Sequence, residues 1–140
     1  MSRLGRRLAF DYGDTRIGVA VCDPDGILAT PLSFIVTKDP ALKVKLAELL
    51  HEYEPVKIYV GYPLHLSGEE SGSSQKAEKF AQLVGEISER PVELVDERLT
   101  TSTASAVLSQ AGMKARDQRG LIDSQAAVLI LEQGLSRDRG

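Results

Sequence analysis

The chain has 140 residues, of which 42% are hydrophobic and 26% charged, with a net charge of -3 at pH 7. This composition predicts one soluble domain over 1–140 with a buried core, and it excludes a disordered chain. The single cysteine excludes a disulfide or zinc framework, and the lack of a long apolar stretch or an apolar leader predicts a cytoplasmic protein with no membrane partner.

The first part of the chain predicts three antiparallel strands over 8–13, 17–22 and 27–37, joined by polar turns. Asp11 lies in the middle of the first strand, among apolar residues. Aspartate is depleted in strands, and a buried carboxylate is costly unless a cation or hydrogen bonds compensate it. Asp11 is therefore a candidate functional residue. The alternative is a carboxylate that hydrogen-bonds the turn backbone near Thr15.

The remainder of the chain alternates helices with strands, because its apolar residues recur first at helical spacing and then in short runs. The predicted elements are a helix over 40–53, a strand over 57–62, a loop over 63–74, a helix that begins near 74, a strand over 91–96, a helix over 101–112, a basic loop over 113–120 and a helix over 121–135. An antiparallel opening followed by this alternation predicts an α/β fold whose mixed sheet is covered by helices on both faces.

Two further acidic residues, Asp96 and Glu97, directly follow the apolar residues of the strand over 91–96. Ligands of open α/β sheets bind outside the carboxyl ends of the strands. Successive side chains of a strand point to opposite faces, so a regular strand aims only one of these two carboxylates at a given point. The alternative is that both acids cap the helix that begins near Ser102.

Asp123 is the third acidic candidate, in the last predicted helix. Helical spacing places it on one face with small and aliphatic residues at i+3, i+4, i+7, i+8 and i+11, namely Ala126, Ala127, Ile130, Leu131 and Gly134. A carboxylate on that stripe points toward the core. The alternative is an acid in the first turn that interacts with the helix dipole.

Three inward carboxylates from separate segments suit a hard divalent cation, Mg²⁺ or Mn²⁺, which prefers oxygen ligands. Such ions activate water and stabilise the leaving oxygen of a phosphodiester. A basic segment supports a nucleic-acid substrate, because four cations between 98 and 119 face one acid, Asp117. We predict phosphate contacts from Arg16, Arg98, Lys114, Arg116 and Arg119, and from the amides of Gly72, Ser73 and Ser74 at a helix start. The alternative for the basic segment is a solvated loop.

Four segments in this order resemble the YqgF family of RNase H-like nucleases: LAFDYGDTRIGVAV, GYPLHLSGEESGS, VDERLTT and IDSQAAVLIL. Family members are described as Holliday junction resolvases and as pre-16S rRNA nucleases. The resemblance implies an RNase H-like fold with a five-stranded mixed sheet, three antiparallel strands first, and helices on both faces. It also implies a metal-dependent nuclease whose acidic residues are Asp11, Glu97 and Asp123. Only the resemblance selects Glu97 over Asp96.

These observations lead to one functional prediction and three alternatives. We predict a nuclease that acts on structured nucleic acid and processes the 5′ end of pre-16S rRNA in ribosome biogenesis. The first two alternatives are a Holliday junction resolvase acting on branched DNA and a non-catalytic nucleic-acid-binding regulator with the same fold. The third comes from Asp-x-Gly-x-Thr at 11–15, which resembles a phosphate loop of actin-like ATPases. Those enzymes close two related domains over a nucleotide, whereas 140 residues supply one.

Overall fold

The computed structural model describes residues 5–62, 72–96 and 115–139, with side chains over 5–62, 74–96 and 124–138. The elements are β1 Arg7–Tyr12, β2 Arg16–Cys22, β3 Ala29–Val36, α1 Leu42–Tyr53, β4 Lys57–Tyr62, α2 Gly72–Ser88, β5 Val92–Asp96 and α3 Ala115–Arg139. The five strands form one sheet in the order β3-β2-β1-β4-β5. β2 is antiparallel to both β1 and β3, whereas β4 is parallel to both β1 and β5. The predicted mixed sheet with its antiparallel opening is therefore confirmed.

The two faces of the sheet carry separate apolar cores, because successive strand residues point in opposite directions. In β1, Leu8 and Phe10 pack under α1 and α2, whereas Ala9 packs under α3. The core under α1 and α2 is built mainly of branched and aromatic side chains, among them Ile17, Val19, Leu46, Ile58, Val60, Phe80 and Val84. The helices thus cover both faces, as predicted.

The α3 face is built for close approach of the helix to the sheet. Ala9 and Ala20, both fully buried, present small side chains to α3. Gly134 lies against the ring of Tyr59, and a Cβ atom at this position would come within 2.5 Å of the ring. A glycine at 134 is therefore needed for the helix to pack at this distance.

The start of α3 corrects the sequence prediction. We predicted a basic loop over 113–120 and a helix over 121–135, whereas α3 runs from Ala115 to Arg139. Gly120 suggested a boundary, but a glycine inside a helix costs only about 1 kcal/mol relative to alanine, and the flanking Ala, Arg and Gln residues favour helix. α2 likewise begins at Gly72 rather than near 74. The predicted helix over 101–112 lies outside the described residues.

The carboxyl end of α3 is fixed to the sheet by a cluster of four charged side chains and one tyrosine hydroxyl, which we name the clamp: Arg7, Lys57, Tyr59, Glu93 and Asp138. The guanidinium of Arg7 donates hydrogen bonds of 2.5 Å to the Tyr59 hydroxyl and to Asp138, and the Tyr59 hydroxyl donates to Asp138. Lys57 donates to Asp138 at 2.8 Å and lies 3.2 Å from Glu93. Arg7 and Lys57 open their strands, so the clamp sits at the amino edge of β1 and β4.

The clamp changes the ionisation of its members. Burial raises the pKa of Asp138, but hydrogen bonds from Lys57 and Tyr59 outweigh burial, and the net effect lowers this pKa to about 2. The hydrogen bond to Asp138 also raises the pKa of Lys57 above its ordinary value. Both groups are therefore charged at neutral pH, and their attraction contributes to holding α3 in place.

No helix in the described part of the chain combines the length and apolar character that crossing a bilayer requires.

Candidate active site

Asp11 lies half-buried in β1, near the carboxyl end of the central strand. Because it follows Ala9 by two residues, it belongs to the face covered by α3. It lines an open cavity of about 350 Å³ together with Gly13, Asp14, Thr15, Arg16 and Gly18. Directly opposed strand residues have Cβ atoms about 5 Å apart, and the residue opposite Asp11 is Gly18. The missing side chain at Gly18 leaves room in front of the carboxylate.

The turn between β1 and β2 forms one wall of this cavity and is held by β3. A Cβ atom at Gly13 would come within 2.6 Å of the Arg16 carbonyl oxygen, so the tight turn requires glycine there. The hydroxyl of Thr37 donates to the Gly13 carbonyl at 2.7 Å, and the backbone N–H of Thr37 donates to the Thr15 carbonyl at 3.0 Å. Thr37 therefore ties this turn to the end of β3.

Ser124 joins α3 to the sheet beside Asp11. The pairing of β2 with β3 shifts register between Ile17 and Val19. At this irregularity the buried hydroxyl of Ser124 accepts a hydrogen bond from the Val19 N–H at 3.2 Å and donates one to the Leu32 carbonyl at 2.5 Å. Helix α3 therefore meets β2 next to Gly18, the strand partner of Asp11. The backbone of Asp123 lies one residue earlier in α3, and its side chain is outside the described ones.

Our sequence reasoning missed Ser124, although a signal was present. Ser124 stands on an apolar stripe of the helix, with its other members at i+3, i+4, i+7 and i+11: Ala127, Val128, Leu131 and Leu135. All four are buried between α3 and the sheet. A polar residue on such a stripe needs hydrogen-bond partners, and the sheet backbone supplies them.

The register of β5 separates Asp96 from Asp11. Leu94 packs on the α1–α2 face, whereas Val95 packs on the α3 face. Alternation then assigns Asp96, which is paired with Tyr62, to the α1–α2 face, away from Asp11. Glu97 lies outside the described residues.

Arg16 is the one predicted phosphate contact whose side chain the structure describes beside Asp11. Its guanidinium lies 4.9 Å from the centroid of the Phe34 ring, and the residue lines the same cavity as Asp11. An exposed cation stacked on a ring is held with its polar edges open to solvent. Arg16 is thereby kept near the carboxylate.

The other predicted phosphate contacts fall partly outside the described residues. Gly72 and Ser73 begin α2, as a contact through backbone amides requires, and Ser74 is fully buried. Arg116 and Arg119 lie in the first turns of α3 rather than in a loop. Arg98 and Lys114 lie outside the described residues.

The described side chains include no group of three or more His, Cys, Asp or Glu residues that could hold a metal ion. Asp11 alone of the three predicted ligands has a described side chain. Its surroundings fit a hydrated divalent cation, because this half-buried acidic residue lines a cavity that is open to solvent.

Comparison with known families decides the assignment. The family model of RuvX, described as a Holliday junction resolvase, matches residues 5–137. The chain belongs to the RuvX family. This confirms the resemblance identified from the four sequence segments, and it confirms that the protein is an enzyme of the nuclease class. It also argues against the ATPase alternative.

Curated relatives of this RuvX chain are similar over nearly its whole length. A protein of Streptomyces coelicolor, named as a candidate pre-16S rRNA nuclease, is 50% identical over 139 residues, which are 98% of this chain and 83% of the relative. A protein of Cutibacterium acnes with the same name is 47% identical and covers 99% of this chain and 86% of its own.

Solved structures confirm the fold of the RuvX chain. Thermus thermophilus RuvC in complex with a Holliday junction substrate aligns with a TM-score of 0.62 at 18% identity, over 97% of this chain and 96% of that one. A second structure of Thermus thermophilus RuvC aligns with a TM-score of 0.59 at 17% identity. The RNase H-like architecture predicted from the sequence is therefore confirmed.

Proposed function

We propose that this RuvX-family protein is a single-domain, divalent-metal nuclease that cleaves phosphodiester bonds of structured RNA at the 5′ end of pre-16S rRNA. The observation that carries the proposal is Asp11, a half-buried carboxylate on the central strand that faces an open cavity. The names of relatives at up to 50% identity support the RNA substrate. Such a role in ribosome biogenesis would place the protein in the cytoplasm.

Asp11, Glu97 and Asp123 would hold the metal, Mg²⁺ or Mn²⁺. Alternation supports Glu97, because a strand continued by one residue beyond Asp96 turns its next side chain to the face of Asp11. The hydrogen bonds of Ser124 support Asp123, because they bring the adjoining turn of α3 to β2 beside Gly18. A divalent cation bound there would supply Lewis acid stabilisation and lower the pKa of a coordinated water.

The residues around the carboxylates would position the substrate. Arg16, stacked on Phe34, would contact a phosphate next to the scissile bond. Arg98, Lys114, Arg116 and Arg119 would contact phosphates farther along the backbone, together with the amides of Gly72, Ser73 and Ser74 at the start of α2. Contacts of this kind fix the register of the nucleic acid without reading its sequence.

Cleavage of a 5′-extended pre-16S rRNA fragment in Mg²⁺ or Mn²⁺ tests the proposal. We expect Asp11→Asn to reduce the cleavage rate by more than about 100-fold, because a neutral amide is a poor ligand for a hard cation. Glu48→Gln removes a carboxylate charge from the exposed surface of α1 and serves as the matched control. Equal rates for wild type and Asp11→Asn would overturn the assignment.

A Holliday junction resolvase is the second candidate, favoured by the description of the family model. A four-way DNA junction in the same assay separates the two substrates. Faster cleavage of the junction than of the RNA, together with a dimeric mass in solution, would favour the resolvase, since paired cuts need two sites. Tight binding of either substrate without cleavage would favour the non-catalytic regulator.

A further inference from the structure

Two further cavities continue the Asp11 cavity across the edge of the sheet toward α1 and α2. The first measures about 470 Å³ and shares Asp14 with the Asp11 cavity; its remaining lining residues are Tyr12, Thr37, Lys38 and Lys76. The second measures about 230 Å³ and shares Tyr12 and Lys76 with the first; it adds Leu42, Lys79, Phe80 and Leu83. We name these two adjoining cavities the lysine trough.

The rim of the lysine trough is positively charged. Lys38, Lys76 and Lys79 are exposed, and Asp14 is the one carboxylate among the lining residues. Within the described ranges, Lys38 and Lys79 form no ion pair. Nearby acids have other partners, because Asp39 is paired with Lys45 and Glu78 accepts a hydrogen bond from Tyr62 at 3.1 Å. A local excess of cations on a chain of net charge -3 attracts a polyanion.

The pair formed by Lys76 and Asp14 sits where the trough meets the Asp11 cavity. Lys76 Nζ lies 2.9 Å from Asp14 Oδ1, and the two side chains are 55% and 65% exposed. Exposed ion pairs contribute little to stability, because solvent and salt screen the attraction between the charges. A phosphate can therefore replace the Asp14 carboxylate on Lys76 at little cost, at a point next to the candidate catalytic carboxylate.

The floor of the trough is apolar and aromatic. The rings of Tyr12 and Phe80 have centroids 5.0 Å apart, and Leu42 and Leu83 flank them. The floor offers few hydrogen-bond partners for base edges, so the contacts to the strand come from the cationic rim and fall on the phosphates.

We propose that the lysine trough holds the phosphate backbone of the nucleic-acid strand that flanks the scissile bond. Lys38, Lys76 and Lys79 contact successive phosphates, and Asp14 occupies the place of one of them until the substrate binds. The inference rests on the proposed nuclease function and extends it. The substrate then crosses the edge of the sheet, from Asp11 on the α3 face to the lysines on the α1–α2 face.

The salt dependence of binding tests the trough. The probe is a fluorescein-labelled 5′-extended pre-16S rRNA fragment, and its affinity is measured between about 50 and 200 mM salt on an Asp11→Asn background that blocks cleavage. The slope of log K against log salt is negative, and each lost phosphate contact makes it shallower by about 0.7 to 0.9. Lys38→Gln combined with Lys79→Gln should therefore make the slope shallower by about 1.5.

Lys43→Gln combined with Arg90→Gln is the matched control, because it removes two exposed cations that lie outside the trough. The control should keep the wild-type slope. Equal slopes for the trough variant and the control would overturn the inference. A four-way DNA junction is the second probe. If the trough variant changes the salt slope for only one probe, that probe is the kind of nucleic acid that occupies the trough.

Asp14→Asn provides a test in the opposite direction. Without the competing carboxylate, Lys76 is free for a phosphate, so binding at low salt should become several-fold tighter, and adding Lys76→Gln should abolish the gain. Unchanged or weaker binding by Asp14→Asn would contradict the role of Asp14. Cleavage of the RNA by the wild-type protein is measured separately. If the wild type cleaves but the Lys38→Gln/Lys79→Gln variant keeps the unaltered salt slope, the trough is rejected and the nuclease function stands. If that variant has a shallower slope but the wild type does not cleave, the nuclease function is rejected and the trough stands.

Discussion

The hydroxyl of Ser124 in α3 accepts a hydrogen bond from the backbone N–H of Val19 in β2, at 3.2 Å. Val19 follows the residue that pairs with Asp11, and Ser124 follows Asp123. One buried hydroxyl thus links the strand pair that carries the first candidate ligand to the helix that carries the third.

Ser124→Ala should lower the free energy of unfolding by roughly 1–3 kcal/mol, because the buried Val19 N–H and Leu32 carbonyl both lose a partner. Chemical denaturation measures this loss. Ser33→Ala, on the exposed side of β3, is the control and should change stability by less than about 0.5 kcal/mol. A similar stability for both variants would show that the hydrogen bonds of Ser124 contribute little.

Asp96→Asn and Glu97→Gln should have opposite outcomes in the RNA cleavage assay. Asp96 belongs to the α1–α2 face, so its amide variant should keep the wild-type rate within about threefold. If Glu97 ligates the metal as proposed, Glu97→Gln should reduce the cleavage rate by more than about 100-fold and should bind Mn²⁺ more weakly in a titration. A large loss for Asp96→Asn with a small one for Glu97→Gln would reverse the assignment of the ligand.

Gly134→Ala should destabilise the protein by roughly 1–3 kcal/mol, because the new Cβ atom would approach the Tyr59 ring to 2.5 Å and push the helix from the sheet. Gly85→Ala in α2 is the matched control, since its Cβ atom would meet only a Val92 methyl group at 3.6 Å. That variant should gain roughly 0.5–1 kcal/mol from helix propensity. Thermal unfolding checks both predictions, since Tm should fall for Gly134→Ala and rise for Gly85→Ala.

Asp138→Asn should destabilise the protein at neutral pH and have little effect near pH 2. The pKa of Asp138 is lowered from 3.8 to about 2 in the folded state. Because the pKa is lower in the folded state, the Asp138 charge stabilises the fold fully above the pKa of the unfolded chain. This stabilisation is lost as the pH falls through the pKa of the folded protein. The difference in Tm between variant and wild type should therefore shrink from about pH 4 to pH 2.

An exposed carboxylate supplies the control for this pH series. Glu48→Gln should shift Tm little at any pH in this range. A constant difference in Tm between Asp138→Asn and wild type from pH 7 to pH 2 would show that the charge of Asp138 does not act in the clamp.

The sequence predicted features that depend on local pattern. Short apolar runs bounded by turn residues predicted the strands, and Asp11 was recognisable because a carboxylate conflicts with its apolar neighbours. The choice between Asp96 and Glu97 could not be made locally, since it depends on which face Leu94 and Val95 bury. The early start of α3 was missed because Gly120 signals a boundary in sequence, whereas a glycine in a helix is only a modest cost.

The clamp was invisible to sequence reasoning for a different reason. Arg7 and Asp138 are 131 positions apart, and each is an ordinary surface residue type in its own segment. Their hydrogen bond exists only because α3 returns its last turn to the first residue of β1. Similarly, the lysine trough combines residues of the β3–α1 connection with residues of α2, whose proximity no local pattern records.

Ser124 and Asp138 fasten the same helix at two points that are 14 residues apart, or about 21 Å along its axis. A helix held at two such points can neither shift along its axis nor rotate about it. If Asp11, Glu97 and Asp123 hold the metal as proposed, repulsion among their carboxylates cannot then relax by displacing the helix. Substitution of Asp138, at the opposite edge of the sheet, should consequently weaken cation binding although Asp138 is not a proposed metal ligand.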